Sequence, residues 1–201
     1  MANSVSNILI VLASPIDPSD QRLNLISKYC KSFAQICTNN GINVDIIDLY
    51  NESEINICNY LKSDDSKVLE YQIRITKADE IAFFHPVMLD NIPSILKGFL
   101  ENVFCVGFAY RIERQLTIGL LNKKATVFAF DEKSSWNSKI LSGDQLSNFW
   151  NKSIFRQTNL QGKLNIYYKF RTLNNEILDK IKSKIDNSAD QIQPKGKLLN
   201  L

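Results

Sequence analysis

The chain has 201 residues, 44% of them hydrophobic and 22% charged, which is enough for one domain with a complete core. Its five prolines, seven glycines and net charge of +3 exclude a collagenous or largely disordered chain and argue against a nucleic-acid partner. No run approaches the roughly 18 apolar residues of a membrane span. We expect a cytoplasmic protein without membrane insertion, folded as a single domain over 1–201 with a polar tail at 190–201.

The spacing of cysteines, glycines and histidine excludes several common sites. Cys30, Cys37, Cys58 and Cys105 form no CxxC pair, which indicates reduced thiols rather than disulfides or a metal site. The seven glycines are too far apart for a GxGxxG dinucleotide fingerprint or a GxxxxGK phosphate loop. His85 is the only histidine, which excludes a histidine-rich metal site.

Apolar runs alternate with helical periodicities along the first half of the chain. Residues 8–13 predict a strand buried on both faces. The spaced apolar residues that follow predict a helix ending at 39–41, where Asn-Asn-Gly stands. A strand over 44–49, a helix around 67–77 and a strand over 80–84 come next.

The second half continues the same alternation. It predicts a helix over 92–103 with Pro93 in its first turn, and then a strand, a helix, a strand and a final helix at 125–130, 144–152, 164–170 and 177–185. Strand and helix in such alternation predict an α/β fold with a doubly wound sheet of five parallel strands and helices on both faces. In the strand order 2-1-3-4-5, ligands bind beyond the carboxyl ends of strands 1 and 3.

That edge places the candidate site in the loops over 14–21 and 85–91, with the loop after Phe130 beside them. The first loop runs into a helix N-terminus, where backbone N–H groups and the hydroxyls of Ser14 and Ser19 favour a phosphate. The alternative interpretation is that Ser19 only caps the helix. The nearby Asp17 and Asp20 argue against a phosphate.

The sequence HPVMLDNIP (85–93), the overlapping PSILKG (93–98) and GFAY (107–110) carry a family resemblance. Over 78–110 the chain resembles the flavodoxin-like NAD(P)H:quinone oxidoreductases, which are related to the FMN-dependent azoreductases. The resemblance continues through 8–50, where Ala-Ser-Pro and Asp-Leu-Tyr follow the first and second strands.

The resemblance implies a flavodoxin-like fold, a homodimer and a flavin, either FAD or FMN. The GFAY turn favours FAD, whereas Asn-Ile-Pro favours FMN. In the family the phosphate lies on the first loop and the isoalloxazine ring lies against the third-strand loop. The cofactor-binding residues implied are Ser14, Ser19, Gln21, Pro86, Val87, Met88, Leu89, Phe130 and Asp131. On the substrate side stand Tyr110 and Trp136, although Trp136 has the alternative role of anchoring its loop.

The implied activity is a ping-pong reaction in which NAD(P)H reduces the flavin and a quinone or similar small-molecule acceptor takes two electrons. His85 is the one candidate proton donor, and its alternative role is to position the backbone. No metal is implied.

Several positions depart from the family pattern. Ser14 replaces a histidine, Asp20 an aromatic residue, and Leu89 and Asp90 replace aromatic residues beside the ring. Residues 131–142 contain no glycine where the family has a Gly-Gly loop. These departures support an alternative function, a flavin-poor member acting as a regulatory or interaction protein. The mildly basic charge disfavours a third hypothesis, an electron carrier.

Overall fold

The computed structural model describes residues 6–17, 19–52 and 66–192, apart from the side chain of residue 141. Within these ranges the strands are β1 (Asn7–Leu12), β2 (Asn43–Asp48), β3 (Glu80–Pro86), β4 (Tyr110–Glu113), β5 (Leu116–Gly119), β6 (Lys124–Phe130) and β7 (Gln161–Tyr167). Five of these described strands form a parallel sheet in the order β2-β1-β3-β6-β7, which confirms the predicted doubly wound topology. The other two, β4 and β5, pair as an antiparallel hairpin.

Helices cover both faces of the sheet. The helices are α1 (Gln21–Asn39), α2 (Ser66–Lys77), α3 (Ser94–Val103), α4 (Gln145–Asn148), α5 (Arg156–Thr158) and α6 (Asn175–Asp190). Two π-helical segments, Asn137–Leu141 and Phe149–Phe155, and a 3₁₀ turn, Phe170–Thr172, complete the chain's helical structure within the described ranges. None of the helices in the described ranges is long and apolar enough to span a bilayer.

The central strands are apolar on both faces because each face packs on helices. In β1, Leu9 and Val11 join the core cluster under α2 and α3, while Ile8 and Ile10 join the cluster under α1 and α6. All four side chains are at most 2% exposed. This alternation fixes the register of the strand, since a slip of one residue exchanges the two faces.

The two buried cysteines of α1 behave as predicted. Cys30 and Cys37 are at most 1% exposed, and burial raises the pKa of each thiol to about 12. Both are free thiols. They therefore serve as small core residues.

Some element boundaries were predicted wrongly. The last strand, predicted over 164–170, is β7 at Gln161–Tyr167, because the chain leaves the sheet to tuck the Phe170 ring against Phe130, with ring centroids 4.8 Å apart. The β4–β5 hairpin was not predicted. Pro93 occupies the cap position before α3 rather than its first turn. Most of the predicted tail over 190–201 lies outside the described residues.

Candidate functional site

Three loops meet at the carboxyl edge of the sheet because β1, β3 and β6 are parallel neighbours. The ladder continues into them: the Ala13 amide donates to Phe84 O at 2.8 Å and the Val87 amide to Phe130 O at 2.8 Å. The structure thus brings together the three loops that the sequence selected, at the edge where doubly wound folds bind ligands.

In the loop after β1, carboxylates accept the hydrogen bonds that an anion would need. Asp20 caps α1: its side chain accepts from the backbone N–H groups of Arg22 at 2.9 Å and Leu23 at 3.2 Å. Asp17 Oδ1 accepts from the Ser19 backbone N–H at 2.8 Å and from its hydroxyl at 2.6 Å. The Ser19 hydroxyl lowers the pKa of Asp17. The cap is therefore Asp20, and the predicted Ser19 cap is wrong.

The other two predicted residues of this loop differ in exposure. Ser14 is 1% exposed, and its hydroxyl donates to the Leu23 carbonyl of α1 at 3.4 Å, so it ties the loop to the helix. Gln21 is the exposed first residue of α1.

The loop after β3 is a tight two-residue turn whose first tip residue, Leu89, is exposed. Met88 and Asn91 exchange backbone hydrogen bonds of 2.8 and 2.9 Å around Leu89 and Asp90, whose φ angles are 48° and 64°. A two-residue turn with both φ values positive usually contains Asn or Gly, so these residues carry backbone strain. Within the described residues, the Leu89 and Asp90 amides donate to no acceptor. Leu89 is 97% exposed.

The loop after β6 is closed by its own polar contacts. Asp131 is 4% exposed and accepts from the Lys133 backbone N–H at 2.9 Å and from the Ser138 hydroxyl at 2.6 Å. Lys133 Nζ pairs with both carboxylate oxygens of Asp90 at 2.7 Å, and this contact lowers the pKa of Asp90. The side chain of Phe130 is 1% exposed and belongs to the core, so only its backbone reaches the edge.

Arg171 joins two of these loops, those after β1 and β6. Its guanidinium donates to Glu132 Oε1 at 2.8 Å and to Asp20 Oδ2 at 2.8 Å. These contacts pair Asp20 and Glu132 with a cation, whereas Asp17 makes no ion pair with a described residue. Sequence reasoning missed Arg171 because no local pattern links it to Asp20, which precedes it by 151 positions.

His85 lies behind the loop after β3, with both ring nitrogens engaged. Its Nδ1 is 2.8 Å from Pro86 O, and its Nε2 accepts from Trp150 Nε1 at 3.2 Å. The side chain is 0% exposed, and burial lowers its pKa to about 4, so the ring is neutral at pH 7 and carries its proton on Nδ1. This geometry supports the backbone-positioning role. Trp150 was not selected from the sequence.

The two residues expected on the substrate side occupy different settings. Trp136 is 58% exposed, immediately before the π-helical turn after β6. Tyr110 begins β4 and lines a cavity of about 170 Å³ together with Phe104 and Phe149. Within the described ranges, no group of three or more His, Cys, Asp or Glu side chains is placed to hold a metal ion.

These residues fit one part of a flavin and not another. The open amides of Leu89 and Asp90, beside the exposed Met88 and Leu89 side chains, suit the polar edge and apolar face of an isoalloxazine ring. At the N-terminus of α1, the carboxylates of Asp17 and Asp20 occupy the donors that a phosphate requires. In this arrangement the ring fits and the phosphate does not.

The sequence matches a family model described as the flavodoxin-like fold over residues 6–152. An uncharacterised NAD(P)H oxidoreductase of Haemophilus influenzae is 31% identical over 129 residues, covering 59% of this chain and 60% of the relative. The chain thus matches less than two thirds of that relative's length. An FMN-dependent NADH:quinone oxidoreductase of Caldicellulosiruptor saccharolyticus is 24% identical over 199 residues, covering 94% of this chain and 98% of the relative.

Solved structures share the architecture. The NAD(P)H:quinone oxidoreductase from Methanothermobacter marburgensis superimposes with a TM-score of 0.76 at 18% identity, covering 94% of this chain and 99% of that one. At this identity the likeness shows the fold alone.

Proposed function

Because this chain belongs to the flavodoxin-like fold family, as its sequence predicted, we propose that it is a flavin-dependent NAD(P)H oxidoreductase that reduces quinones or similar small acceptors. The observation that carries the proposal is the open turn after β3, at the edge where the family resemblance places the ring. The relatives' names support FMN rather than FAD as the family's flavin. We also propose a homodimer and a cytoplasmic location.

A bound flavin supplies two-electron chemistry, accepting hydride from NAD(P)H and passing two electrons to a quinone in the same place. The Leu89 and Asp90 amides would hold the polar edge of the ring, and the exposed side chains of Met88 and Leu89 would cover its face. The ion pair between Lys133 and Asp90 holds the turn in place. His85 supports this segment through Pro86 O and keeps its proton on Nδ1.

The proposal is tested with paired variants at Leu89. Leu89→Pro removes the backbone N–H and cannot adopt the observed φ of 48°. Leu89→Gly retains the N–H and adopts this φ easily. We expect quinone-dependent NADH oxidation to fall at least about tenfold in Leu89→Pro and less than about threefold in Leu89→Gly. For wild type, double-reciprocal plots of rate against NADH concentration at several fixed quinone concentrations are expected to be parallel lines, as for a ping-pong reaction. Equal activity of the two variants would contradict the assigned role of the turn.

A second candidate function is favoured by the loop after β1. Since Asp17 and Asp20 take the donors that a phosphate needs, a member that binds no flavin and acts through a protein partner is the alternative. The absence of saturable binding of riboflavin, FMN and FAD would favour that alternative.

A further inference from the structure

The acidic side chains at the start of α1 reproduce the contacts of a bound phosphate. Four donors, the N–H groups of Ser19, Arg22 and Leu23 and the Ser19 hydroxyl, point at carboxylate oxygens of this chain. An incoming phosphate has to displace these carboxylates or remain without donors. Either outcome costs binding free energy, since charge-assisted hydrogen bonds are among the stronger polar contacts.

The surrounding charges do not favour a dianion either. Arg171 already pairs with Asp20 and Glu132, and Arg22 donates to the Leu173 carbonyl at 2.9 Å. Asp17 makes no ion pair with a described residue, so its negative charge is not compensated at the start of α1. A phosphate would add two negative charges to a region that is already acidic.

A neighbouring side chain, Asn24, has an acceptor oxygen without a hydrogen-bond donor in the described part of the chain. Asn24, in the first turn of α1, donates from Nδ2 to the Asp17 carbonyl at 2.8 Å. Its Oδ1 is buried and accepts no hydrogen bond from the described residues. An uncharged hydroxyl can satisfy this oxygen, whereas a phosphate dianion cannot.

We infer that Asp17 and Asp20 stand in for the cofactor's phosphate, so that this chain binds an uncharged flavin such as riboflavin in preference to FMN. The inference rests on the proposed function, because it concerns the same flavin site. The turn after β3 would hold the ring, and the residues at the start of α1 would meet the uncharged tail. The first loop of this chain therefore favours an uncharged tail, whereas the family resemblance predicted a loop that binds a phosphate.

The test is a fluorescence titration of the full chain with riboflavin and with FMN. Asp20→Ser removes the carboxylate charge while keeping a good helix cap, and Glu132→Gln removes a carboxylate that also pairs with Arg171 but accepts no helix N–H. We expect wild type to bind riboflavin at least as tightly as FMN. Asp20→Ser is expected to shift the preference toward FMN by about tenfold or more, and Glu132→Gln by less than about threefold.

Salt gives a second readout that does not depend on any variant. Screening weakens repulsion between the phosphate and the carboxylates, so raising the salt concentration is expected to tighten FMN binding to wild type and leave riboflavin binding unchanged. If Asp20→Ser does not fold, Asp20→Asn keeps the capping oxygen, removes the charge and is expected to shift the preference in the same direction.

The outcomes separate the two proposals. Tighter binding of FMN than of riboflavin by wild type, or an unchanged preference in Asp20→Ser, overturns the inference and leaves the oxidoreductase proposal standing. Failure of both flavins to bind overturns the oxidoreductase proposal and the inference with it.

Discussion

The loops after β1 and β3 lie side by side at one edge of the sheet, but their backbone amides differ in whether they are hydrogen-bonded. After β1, Asp17 and Asp20 satisfy the amides at the start of α1. After β3, the amides of Leu89 and Asp90 donate to no described residue. The fold therefore brings both loops to the proposed flavin site, while a few loop side chains determine whether the backbone amides there remain free to donate.

The two loops also differ in how they are stabilised. The loop after β1 is held by local capping bonds, each of which replaces a contact with water. The loop after β3 contains two residues with positive φ, and its support comes from behind, through His85 and Trp150, and from the side, through Lys133. Substitutions in each supporting group test this difference.

The largest effect is expected at Trp150, which supports the β3 side from behind. Trp150→Ala leaves a cavity beside Phe83 and an unpaired nitrogen on His85, and we expect it to lower the free energy of unfolding by about 3–5 kcal/mol. Trp150→Phe keeps most of the apolar volume and is expected to cost less. Urea denaturation measures both, and a loss below about 1 kcal/mol for Trp150→Ala would show that the support is unimportant.

A pH dependence follows from His85. Its pKa is about 4 in the native state and 6.5 when unfolded, so the unfolded chain binds the proton first as the pH falls. The free energy of unfolding is expected to drop by about 2 kcal/mol between pH 7.5 and pH 5 from this group, and the loss levels off below pH 4. His85→Gln removes this component, because His85 is the only histidine. Identical pH profiles for the two proteins would contradict a buried neutral ring.

On the β1 side, the cap is the sensitive point. Asp20→Ala exposes two unpaired helix amides and is expected to lower the free energy of unfolding by about 1–2 kcal/mol. Asp20→Ser retains a capping hydroxyl, so thermal denaturation of this matched variant is expected to lie close to wild type. Equal destabilisation by both substitutions would assign the effect to the Arg171 ion pair instead of the cap.

The smallest effect on stability is expected at Lys133. Its ion pair with Asp90 is partly exposed, so Lys133→Met is expected to change the free energy of unfolding by less than about 1 kcal/mol. The turn itself is expected to loosen, with faster amide hydrogen exchange at Met88 and Asn91, whose amides are the hydrogen-bonded ones, and a higher pKa for Asp90. Lys139→Met is the control, since Lys139 makes no ion pair with a described residue. Unchanged exchange in Lys133→Met would contradict the assigned role.

Sequence reasoning recovered the sheet because its determinants are local. The apolar run at 8–13 and the Asn-Asn-Gly helix end specify their elements through side chains that lie next to one another in the chain. The position of the site followed from the strand order. The resemblance over 78–110 then identified the family that the comparisons show.

The details that distinguish this site depend on contacts between distant segments. Arg171 meets Asp20, and Trp150 meets His85 across 65 positions, so no periodicity reveals either pair. Whether Asp20 or Ser19 caps α1 depends on the residue at which the loop ends, and a shift of one residue exchanges the two. The end of β7 is determined by the packing of Phe170 on Phe130, which local strand propensity does not contain.

The most direct test of the account is an anaerobic visible spectrum of the purified chain with saturating riboflavin and, separately, with saturating FMN, before and after NADH and then a quinone. We predict the spectrum of a bound flavin, which NADH bleaches and the quinone restores. A protein that binds no flavin, or whose bound flavin NADH leaves oxidised, would contradict its assignment as a flavin-dependent oxidoreductase.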